Sequence, residues 1–231
     1  MYVNKNSELN PIEKRVIEIT EDGSTTLKLT EFDEQFHSIH GAINESIHIY
    51  INAGFNFLVE REALKILEVG FGTGLNALLT LQNTGARKIE YHAIEAYPLK
   101  EEEYKQLNYN LFIDNELKNI HSKIMQFDEG KWMNINSNFK LKVSVAKIEE
   151  IYLESDKYDL VYFDAFGPAV QPELWSEKVF EKIYHSMTKN SILVTYCSKG
   201  AVKRSLKKVG FEVLGLPGPI GKREITRCIK K

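Results

Sequence analysis

The fold is decided by the stretch Ile66-Leu67-Glu68-Val69-Gly70-Phe71-Gly72-Thr73-Gly74-Leu75-Asn76, in which an apolar segment leads directly into three alternating glycines. Residues 75–83 then have the composition of a helix. Glycines remove the Cβ atoms that would keep the backbone away from a ligand, and the helix offers free N–H groups and the positive end of its dipole. This order of strand, glycine turn and helix predicts a site for a nucleotide-type cofactor.

The spacing of the glycines indicates which cofactor is bound. Leu75 occupies the place where the Gly-x-Gly-x-x-Gly fingerprint of dinucleotide sites needs its third glycine, which counts against NAD and FAD. Glu68 precedes the turn, and Glu95 lies at the end of the next apolar segment. A carboxylate at Glu95 suits a ribose diol because it can accept hydrogen bonds from both hydroxyls. The pattern predicts an S-adenosylmethionine site; the alternative is a tight turn without a ligand.

Strands and helices alternate from Ala63 onward, which predicts an α/β domain with a doubly wound, mostly parallel sheet of the Rossmann-like class I methyltransferase type. Before it, two alternating segments flank the turn Asp22-Gly23-Ser24 and predict a β-hairpin. We therefore expect a β-rich N-terminal extension over residues 1–60, packed on a methyltransferase domain over residues 61–231. The predicted strands cover residues 65–69, 88–94, 140–145, 158–163, 191–197, 211–214 and 224–229, and the predicted helices cover residues 75–83, 98–108, 172–187 and 201–209.

Composition narrows the class of protein. The 231 residues fit one large α/β domain, and the apolar runs are too short for a signal peptide or a membrane span, so we expect a cytoplasmic protein. Cys197 and Cys228 lie in strand-like apolar runs and are expected to be buried free thiols. The histidines at 37, 40 and 48 share no metal-ligand spacing with a cysteine or an acidic cluster, so we predict no metal.

The net charge of −2 conceals an asymmetry along the chain. Residues 196–231 contain ten Lys or Arg and two Glu, a balance of +8, which leaves −10 for the remainder. A basic end on an acidic body can be a phosphate-binding face, or simply a solvated helix and tail. The paired cations Lys222 and Arg223, on a glycine-rich turn before the last strand, suit a phosphate grip, although they could also solvate a strand end.

A second constellation follows the buried-strand pattern of residues 158–163, in the loop Asp164-Ala165-Phe166-Gly167-Pro168-Ala169. In this fold the loop lies beside the reactive end of the cofactor, so Asp164 is the carboxylate expected to face a substrate. Phe166 and Trp175 could provide a stacking surface for a base. The alternative is that Asp164 caps the turn and both aromatic residues belong to the core.

Several motifs can be read together across nearly the whole chain. They are Glu68-x-Gly70-Phe71-Gly72-Thr73-Gly74-Leu75-Asn76, Glu95-x-x-Pro98-Leu99, Phe163-Asp164-x-Phe166-x-Pro168-Ala169-x-x-Pro172-x-x-Trp175, Ser198-x-Gly200-x-Val202-x-Arg204-x-Leu206 and Gly221-Lys222-Arg223-Glu224, with Phe32-Asp33, Gly41 and Glu45 before them. As a set they resemble the methyltransferase domain of MnmC-type tRNA 5-methylaminomethyl-2-thiouridine methyltransferases. The resemblance implies transfer of a methyl group from S-adenosylmethionine to the amine of 5-aminomethyluridine at the tRNA wobble position. Many members carry a second, FAD-dependent oxidase domain; we expect a stand-alone, monomeric version without FAD that receives its aminomethyl substrate from elsewhere.

The resemblance also implies roles for individual residues, with Asp164 as the catalytic residue. Where the family often has Gly-Asp, this sequence reads Ala146-Lys147-Ile148-Glu149, so adenine recognition would depend on backbone groups or on Glu149. The implied cofactor-binding residues are Glu68, Gly70, Phe71, Gly72, Gly74, Asn76, Glu95, Ala146, Lys147 and Asp164. The implied substrate-binding residues are Phe166, Pro168, Trp175, Lys199, Lys203, Arg204, Lys222 and Arg223.

The chemistry of the reaction indicates what Asp164 would do. A sulfonium methyl group is already electrophilic, so the enzyme chiefly needs a neutral amine held in line with it, whereas an alkylamine is largely protonated at neutral pH. We predict that Asp164 hydrogen-bonds the amine and accepts or relays its proton while Phe166 packs on the uridine. The alternatives are a methyltransferase acting on a small amine or a protein side chain, a non-catalytic RNA-binding relative and, least favoured by the glycine spacing, a dehydrogenase.

Overall fold

The structure is a computed structural model that describes residues 14–231, and predictions for residues 1–13 lie outside this range. The described chain begins with a small antiparallel sheet that confirms the predicted hairpin, with Ile17 opposite Leu27. The boundary at residue 60 between extension and domain stays a prediction. The strands of the small sheet are β1 (Arg15–Ile19), β2 (Thr25–Leu29) and β3 (Glu34–Gln35).

The segment after the hairpin has no regular period in the sequence because it changes helix type. It forms α1 (Ala42–Ser46), continues directly as a π-helix over Ile47–Asn52 and ends in a 3₁₀ turn over Phe55–Leu58. Asp22 joins this segment to the hairpin: its carboxylate accepts hydrogen bonds from the backbone N–H of Ser24 at 3.0 Å and of Asn44 at 3.1 Å. Asp22 therefore ties the hairpin to the start of α1.

The large sheet has eight strands within residues 14–231, in the order β10-β11-β9-β8-β4-β5-β7-β6. The five central strands, from β9 to β7, are parallel, and antiparallel strands close both edges. The predicted doubly wound, mostly parallel sheet is thus confirmed. The bounds are β4 (Ala63–Val69), β5 (Lys88–Glu95), β6 (Trp132–Asn134), β7 (Phe139–Val145), β8 (Tyr158–Phe163), β9 (Met187–Thr195), β10 (Glu212–Pro217) and β11 (Glu224–Ile229).

Apolar layers cover both faces of the sheet, which explains why its central strands read as continuous hydrophobic runs. Along β4, Ile66 belongs to the cluster on one face and Leu67 to the cluster on the other, and both are fully buried. The helices of the domain are α2 (Leu75–Gln82), α3 (Glu101–Tyr104), α4 (Ile120–Met125), α5 (Glu177–Ser186) and α6 (Gly200–Val209).

Two predicted helices are shorter than expected. The predicted helix over residues 98–108 is only the four-residue α3, whose start is fixed by the Glu103 carboxylate accepting from the backbone N–H of Lys100. The predicted helix over residues 172–187 is divided into a 3₁₀ turn, Pro172–Trp175, and α5, because Ser176 is extended and caps α5.

The remaining predictions about composition can be compared with the same range. Cys197 and Cys228 are buried free thiols, as expected. No helix within residues 14–231 is long and apolar enough to cross a membrane. In the same range, no group of three or more His, Cys, Asp or Glu side chains could hold a metal ion, and the absence of a metal stays a prediction.

Candidate cofactor and substrate site

A cavity of about 270 Å³ lies beyond the carboxyl ends of β4, β5 and β8, where a doubly wound sheet binds its ligands. Its wall combines the loops after β4, β5, β7 and β8 with side chains of the N-terminal extension. The sequence-predicted residues in this wall are Gly70, Phe71, Gly72, Asn76, Glu95, Ala146, Lys147, Asp164, Phe166 and Lys222.

The glycine turn brings the loops after β4 and β8 into direct contact. Gly70 has a φ of +89°, and a Cβ there would lie 2.4 Å from the carbonyl oxygen of Asp164. Two backbone hydrogen bonds hold this approach: the Asp164 N–H donates to Val69 at 2.9 Å, and the Gly70 N–H donates to Ile94 at 3.0 Å. Glycine fits here because it tolerates the positive φ and has no Cβ to clash with the carbonyl oxygen of Asp164.

Gly74 begins α2 with a φ of +72°. It lies outside the cavity wall and packs against α4, where a Cβ would be 2.8 Å from the sulfur of Met125. The turn and this helix packing account for a glycine at position 74, and its assignment to the cofactor stays a prediction.

Glu95, at the end of β5, lies in the wall with both carboxylate oxygens fixed by backbone donors. The N–H of Gly72 donates to one oxygen at 2.8 Å, and the N–H of Tyr97 donates to the other at 2.8 Å. A carboxylate has about four acceptor positions, so each oxygen can accept one further hydrogen bond from the cavity. A ribose diol needs two adjacent acceptors of this kind.

The loop after β7 forms the predicted adenine end of the cavity, with Ala146 and Lys147 in its wall beside Ile148 and Glu149. The ammonium group of Lys182, on α5, donates to the carbonyl oxygens of Ile148 at 2.9 Å and Glu149 at 2.7 Å. One carboxylate oxygen of Glu149 is buried without a hydrogen-bond partner in the described part of the chain. The backbone of this loop is therefore held rigidly, and Glu149 offers an unoccupied acceptor.

Among the carboxyl groups of the wall, Asp164 has the pKa that is shifted furthest from its usual value. The hydroxyl of Tyr50 donates to its Oδ1 at 2.5 Å, and the amide of Asn76 donates to its Oδ2 at 2.8 Å. Burial raises the pKa of Asp164 to about 7, because the cost of desolvation exceeds the stabilisation from these two hydrogen bonds. A carboxyl group that titrates near neutrality can accept a proton from a substrate and release it again.

Glu68 supports this arrangement from behind the wall. Its side chain is fully buried, lies outside the cavity lining and accepts the second amide hydrogen of Asn76 at 2.9 Å. Burial raises the pKa of Glu68 well above its usual range. In this position Glu68 orients Asn76, and its predicted contact with the cofactor stays a prediction. The amide oxygen of Asn76 is a buried acceptor with no partner within residues 14–231, so it can receive a hydrogen bond from a ligand.

The two predicted stacking residues divide between wall and core. Phe166 lines the cavity and packs edge-to-face on Phe36 of the extension, with ring centroids 4.9 Å apart. Trp175 is 6% exposed, packs on Phe163 and donates its indole N–H to the carbonyl oxygen of Phe166 at 2.8 Å. Trp175 thus packs in the core and supports the loop, and its predicted contact with substrate stays a prediction. Pro168 lies in that loop but outside the wall.

Several wall residues belong to the extension, and the sequence analysis assigned them no role. The buried imidazole of His37 contacts the hydroxyl of Thr26 at 3.0 Å, and burial lowers its pKa to about 4, so it is neutral. Glu45 is also buried and pairs with Lys222. The only sequence signal for this group was an unusual density of aromatic residues and histidines between residues 33 and 51.

The predicted phosphate-binding cations do not form one uniform group. Lys222 is engaged by Glu45, and Lys203 by Glu224 at 2.5 Å, so each already faces a carboxylate. Lys199, Arg204 and Arg223 are exposed, the first two at the start of α6 and the last on the turn between β10 and β11. The exposed basic surface is therefore smaller than the sequence suggested.

Comparison with known proteins shows the class of enzyme to which the chain belongs. A family model described as S-adenosyl-L-methionine-dependent methyltransferase matches residues 102–231, and the chain belongs to this family. Its cofactor is S-adenosylmethionine. The structure fits that group through the two acceptors of Glu95 and the unpartnered amide oxygen of Asn76.

Particular relatives support the predicted resemblance. The tRNA 5-methylaminomethyl-2-thiouridine biosynthesis bifunctional protein MnmC of Cupriavidus necator is 30% identical over 219 residues, covering 84% of this chain and 31% of that protein. The protein of the same name from Nitrosospira multiformis is 27% identical over 214 residues, covering 86% of this chain and 34% of that protein. The chain thus spans about a third of the length of these relatives. The resemblance seen in the motifs is confirmed.

Two solved structures are similar over almost the whole chain. The crystal structure of MNMC2 from Aquifex aeolicus superimposes with a TM-score of 0.78 at 28% identity, covering 96% of this chain and 71% of that one. Spermidine synthase from Thermotoga maritima gives a TM-score of 0.63 at 12% identity, covering 94% and 69% respectively. At that identity, the second match shows a shared fold.

Proposed function

We propose that this chain methylates the aminomethyl group of 5-aminomethyluridine, or of its 2-thio form, at the wobble position of tRNA, giving the 5-methylaminomethyl nucleoside. The observation that carries the proposal is Asp164, a carboxyl group with a pKa of about 7 in the wall of the cofactor cavity. The relatives named for this pathway supply the choice of acceptor.

The residues of the cavity fit the bound cofactor, which supplies a methyl group already activated as a sulfonium. Glu95 would accept from the ribose hydroxyls, while Gly70 and Gly72 allow the ligand to approach the backbone. The loop containing Ala146 and Glu149 would flank the adenine. Binding of this kind aligns the reactants, but the acceptor amine must still lose a proton before it can react.

Asp164 is the group that would accept this proton. A primary alkylamine has a pKa near that of lysine, roughly 10.4, so it arrives mainly as an ammonium ion. The ionised carboxylate of Asp164 attracts this cation and accepts one of its protons, which leaves the nitrogen lone pair free to attack. Burial has raised the pKa of Asp164 towards that of the amine, so the transfer is less unfavourable than it would be to an ordinary carboxylate.

The rest of the acceptor would be recognised by an aromatic wall and by exposed cations. Phe36 and Phe166 form an edge-to-face pair on which a uracil ring can pack. The exposed residues Lys199, Arg204 and Arg223 would bind the phosphates that flank the base. A wobble base presented on a single-stranded loop meets both requirements.

The acceptor is tested by incubating the chain with methyl-labelled S-adenosylmethionine and three acceptors: tRNA containing 5-aminomethyluridine, the same tRNA without the modification, and a free alkylamine. We expect label only in the first tRNA, and loss of that transfer in D164N with cofactor binding retained. Label in the free amine at a comparable rate would instead support a small-amine methyltransferase. Full transfer by D164N would contradict the role of Asp164.

The phosphate contacts are tested by salt dependence. Replacing Lys199, Arg204 and Arg223 with alanine should weaken tRNA binding and reduce the slope of log K against log salt by about two, since each contact with a single-stranded phosphate contributes about 0.7. The matched control replaces three exposed lysines at the amino ends of central strands, Lys65, Lys88 and Lys189. Equal effects of the two triple variants would place the RNA elsewhere.

A further inference from the structure

Tyr50 approaches Asp164 from behind the cavity wall. It lies in the π-helix of the extension, is 2% exposed and donates its hydroxyl hydrogen to Asp164 Oδ1 at 2.5 Å. Its side chain is not part of the cavity lining, so it acts through Asp164 rather than on a ligand. It belongs to the region before residue 102, where the match to the family model begins.

The backbone around Tyr50 leaves its ring little freedom. The ring packs on Tyr162 of β8, with centroids 5.2 Å apart. Gly54 closes the same turn so tightly that a Cβ there would lie 2.5 Å from the carbonyl oxygen of Tyr50 and 3.0 Å from Val194. π-helical turns are rare and occur often at functional sites, where they place one side chain that an α-helix would direct elsewhere. Here the side chain so placed is that of Tyr50.

Tyr50 and Asn76 together determine how the carboxylate of Asp164 is presented. Each oxygen receives one donor, Oδ1 from Tyr50 and Oδ2 from Asn76, so rotation of the carboxylate would break both hydrogen bonds. The remaining acceptor positions belong to the face that lines the cavity. Hydrogen bonds donated to a carboxylate also favour its charged form.

We propose that Tyr50 is a positioning residue for methyl transfer, which holds the carboxylate of Asp164 towards the acceptor amine and keeps it ionised near neutral pH. This inference rests on the proposed function in one respect, that Asp164 is the proton acceptor. It adds a residue of the extension to the machinery of the reaction.

Other ionisable groups also face Asp164, and the test must separate them from Tyr50. In the described part of the chain, Tyr50 is the ionisable residue whose side chain hydrogen-bonds directly to the carboxylate of Asp164. The ionisable groups facing Asp164 are Tyr50 and Glu45 from the extension, Glu68 from β4, Tyr91 from β5, Tyr196 after β9 and Lys222 from the turn between β10 and β11.

The experiment compares Y50F with Y162F, because both remove one buried phenolic hydroxyl. The hydroxyl of Tyr162 contacts Thr80 at 3.2 Å and makes no contact with Asp164. The titration of Asp164 is followed in the free protein by carboxyl ¹³C NMR, with its resonance assigned by its loss in D164N. We expect the midpoint to rise by about one to two pH units in Y50F, as for loss of a hydrogen bond to a charged group, and to stay in place in Y162F.

Activity provides the second readout. The acidic limb of the profile of kcat/KM against pH should move to higher pH by the same amount in Y50F, with turnover recovering above it, whereas damage to packing would lower activity at every pH. A folded Y50F protein that titrates like the wild type would overturn the proposal. Absence of methyl transfer to tRNA by the wild type would refute the proposed function but leave the NMR result on Tyr50 decisive.

A second variant covers the case in which Y50F does not fold. Difluorotyrosine at position 50 retains the ring and hydroxyl but makes the hydroxyl a stronger donor, so the midpoint of Asp164 should move to lower pH. A movement in the opposite direction, or none, would overturn the proposal.

Discussion

Replacing Gly70 with alanine should damage the site more than any neutral substitution of its size, for two separable reasons. The φ of +89° is disfavoured for any residue with a Cβ, at about 1–2 kcal/mol. The new methyl group would also lie 2.4 Å from the carbonyl oxygen of Asp164, whereas ordinary contact begins near 3.4 Å. Such overpacking costs about 1–3 kcal/mol, so the free energy of unfolding should fall by roughly 2–5 kcal/mol in total.

The same clash predicts the effect on function. Relieving it requires the loop of Asp164 to move by about 1 Å from the glycine turn. A misplacement of that size costs about 10²-fold in rate when it affects a reacting group, so kcat/KM for methyl transfer should fall by about 10²-fold. Urea unfolding and a labelled-methyl assay measure the two effects.

Gly85 provides the matched control for this substitution. It also has a positive φ, +59°, but a Cβ there meets nothing within 4 Å in the described part of the chain. G85A should therefore lose only the conformational part of the stability, about 1–2 kcal/mol, and keep wild-type affinity and turnover. The reasoning is refuted if G70A loses no more stability than G85A and transfers methyl groups at the wild-type rate.

Three further predictions concern the cofactor, pH and the core. E95Q should raise the Kd for S-adenosylmethionine by about 10- to 100-fold in calorimetric titration, as for loss of hydrogen bonds to a charged acceptor. The control E90Q removes a surface ion pair on the same strand and should leave this Kd unchanged. Burial raises the pKa of Asp164 in the folded protein from 3.8 to about 7, so its contribution to stability is full below about pH 4 and is lost as the pH rises through 7. The free energy of unfolding of the wild type relative to D164N, measured with urea, should therefore decline over this range. A difference that does not change with pH would contradict the burial argument. W175F should lower the free energy of unfolding by about 1–3 kcal/mol through loss of the hydrogen bond to Phe166, with an unchanged cofactor Kd; a loss of activity at unchanged stability would instead support the predicted contact of Trp175 with substrate.

The parts of the fold that the sequence predicted well are those specified by local chemistry. β8 has the predicted bounds because four of the six residues of Tyr158–Phe163 form the apolar run 160–163, and the turn after β4 follows from glycines placed between a strand and a helix. The helix predicted after Pro98 was too long because composition does not show where a helix loses its packing partner. The local sequence pattern therefore predicted the sheet and one side of the cavity.

The parts that were missed depend on contacts between distant residues. Tyr50 and Asp164 are 114 residues apart in the chain, and Lys222 and Glu45 are 177 apart, so no local window relates them. The π-helix that places Tyr50 has a period that an amphipathic pattern does not reveal. For Glu68 and Trp175, the sequence gives their neighbours but not the side of the wall on which they lie.

The most direct test of the central claim identifies the methylated atom. The chain is incubated with tRNA containing 5-aminomethyluridine and deuteromethyl S-adenosylmethionine, and the digested nucleosides are fragmented in a mass spectrometer. We predict one deuteromethyl group on the aminomethyl nitrogen of the wobble uridine, lost in D164N. A labelled methyl group on the uracil ring, on the ribose or on another nucleoside would contradict the account.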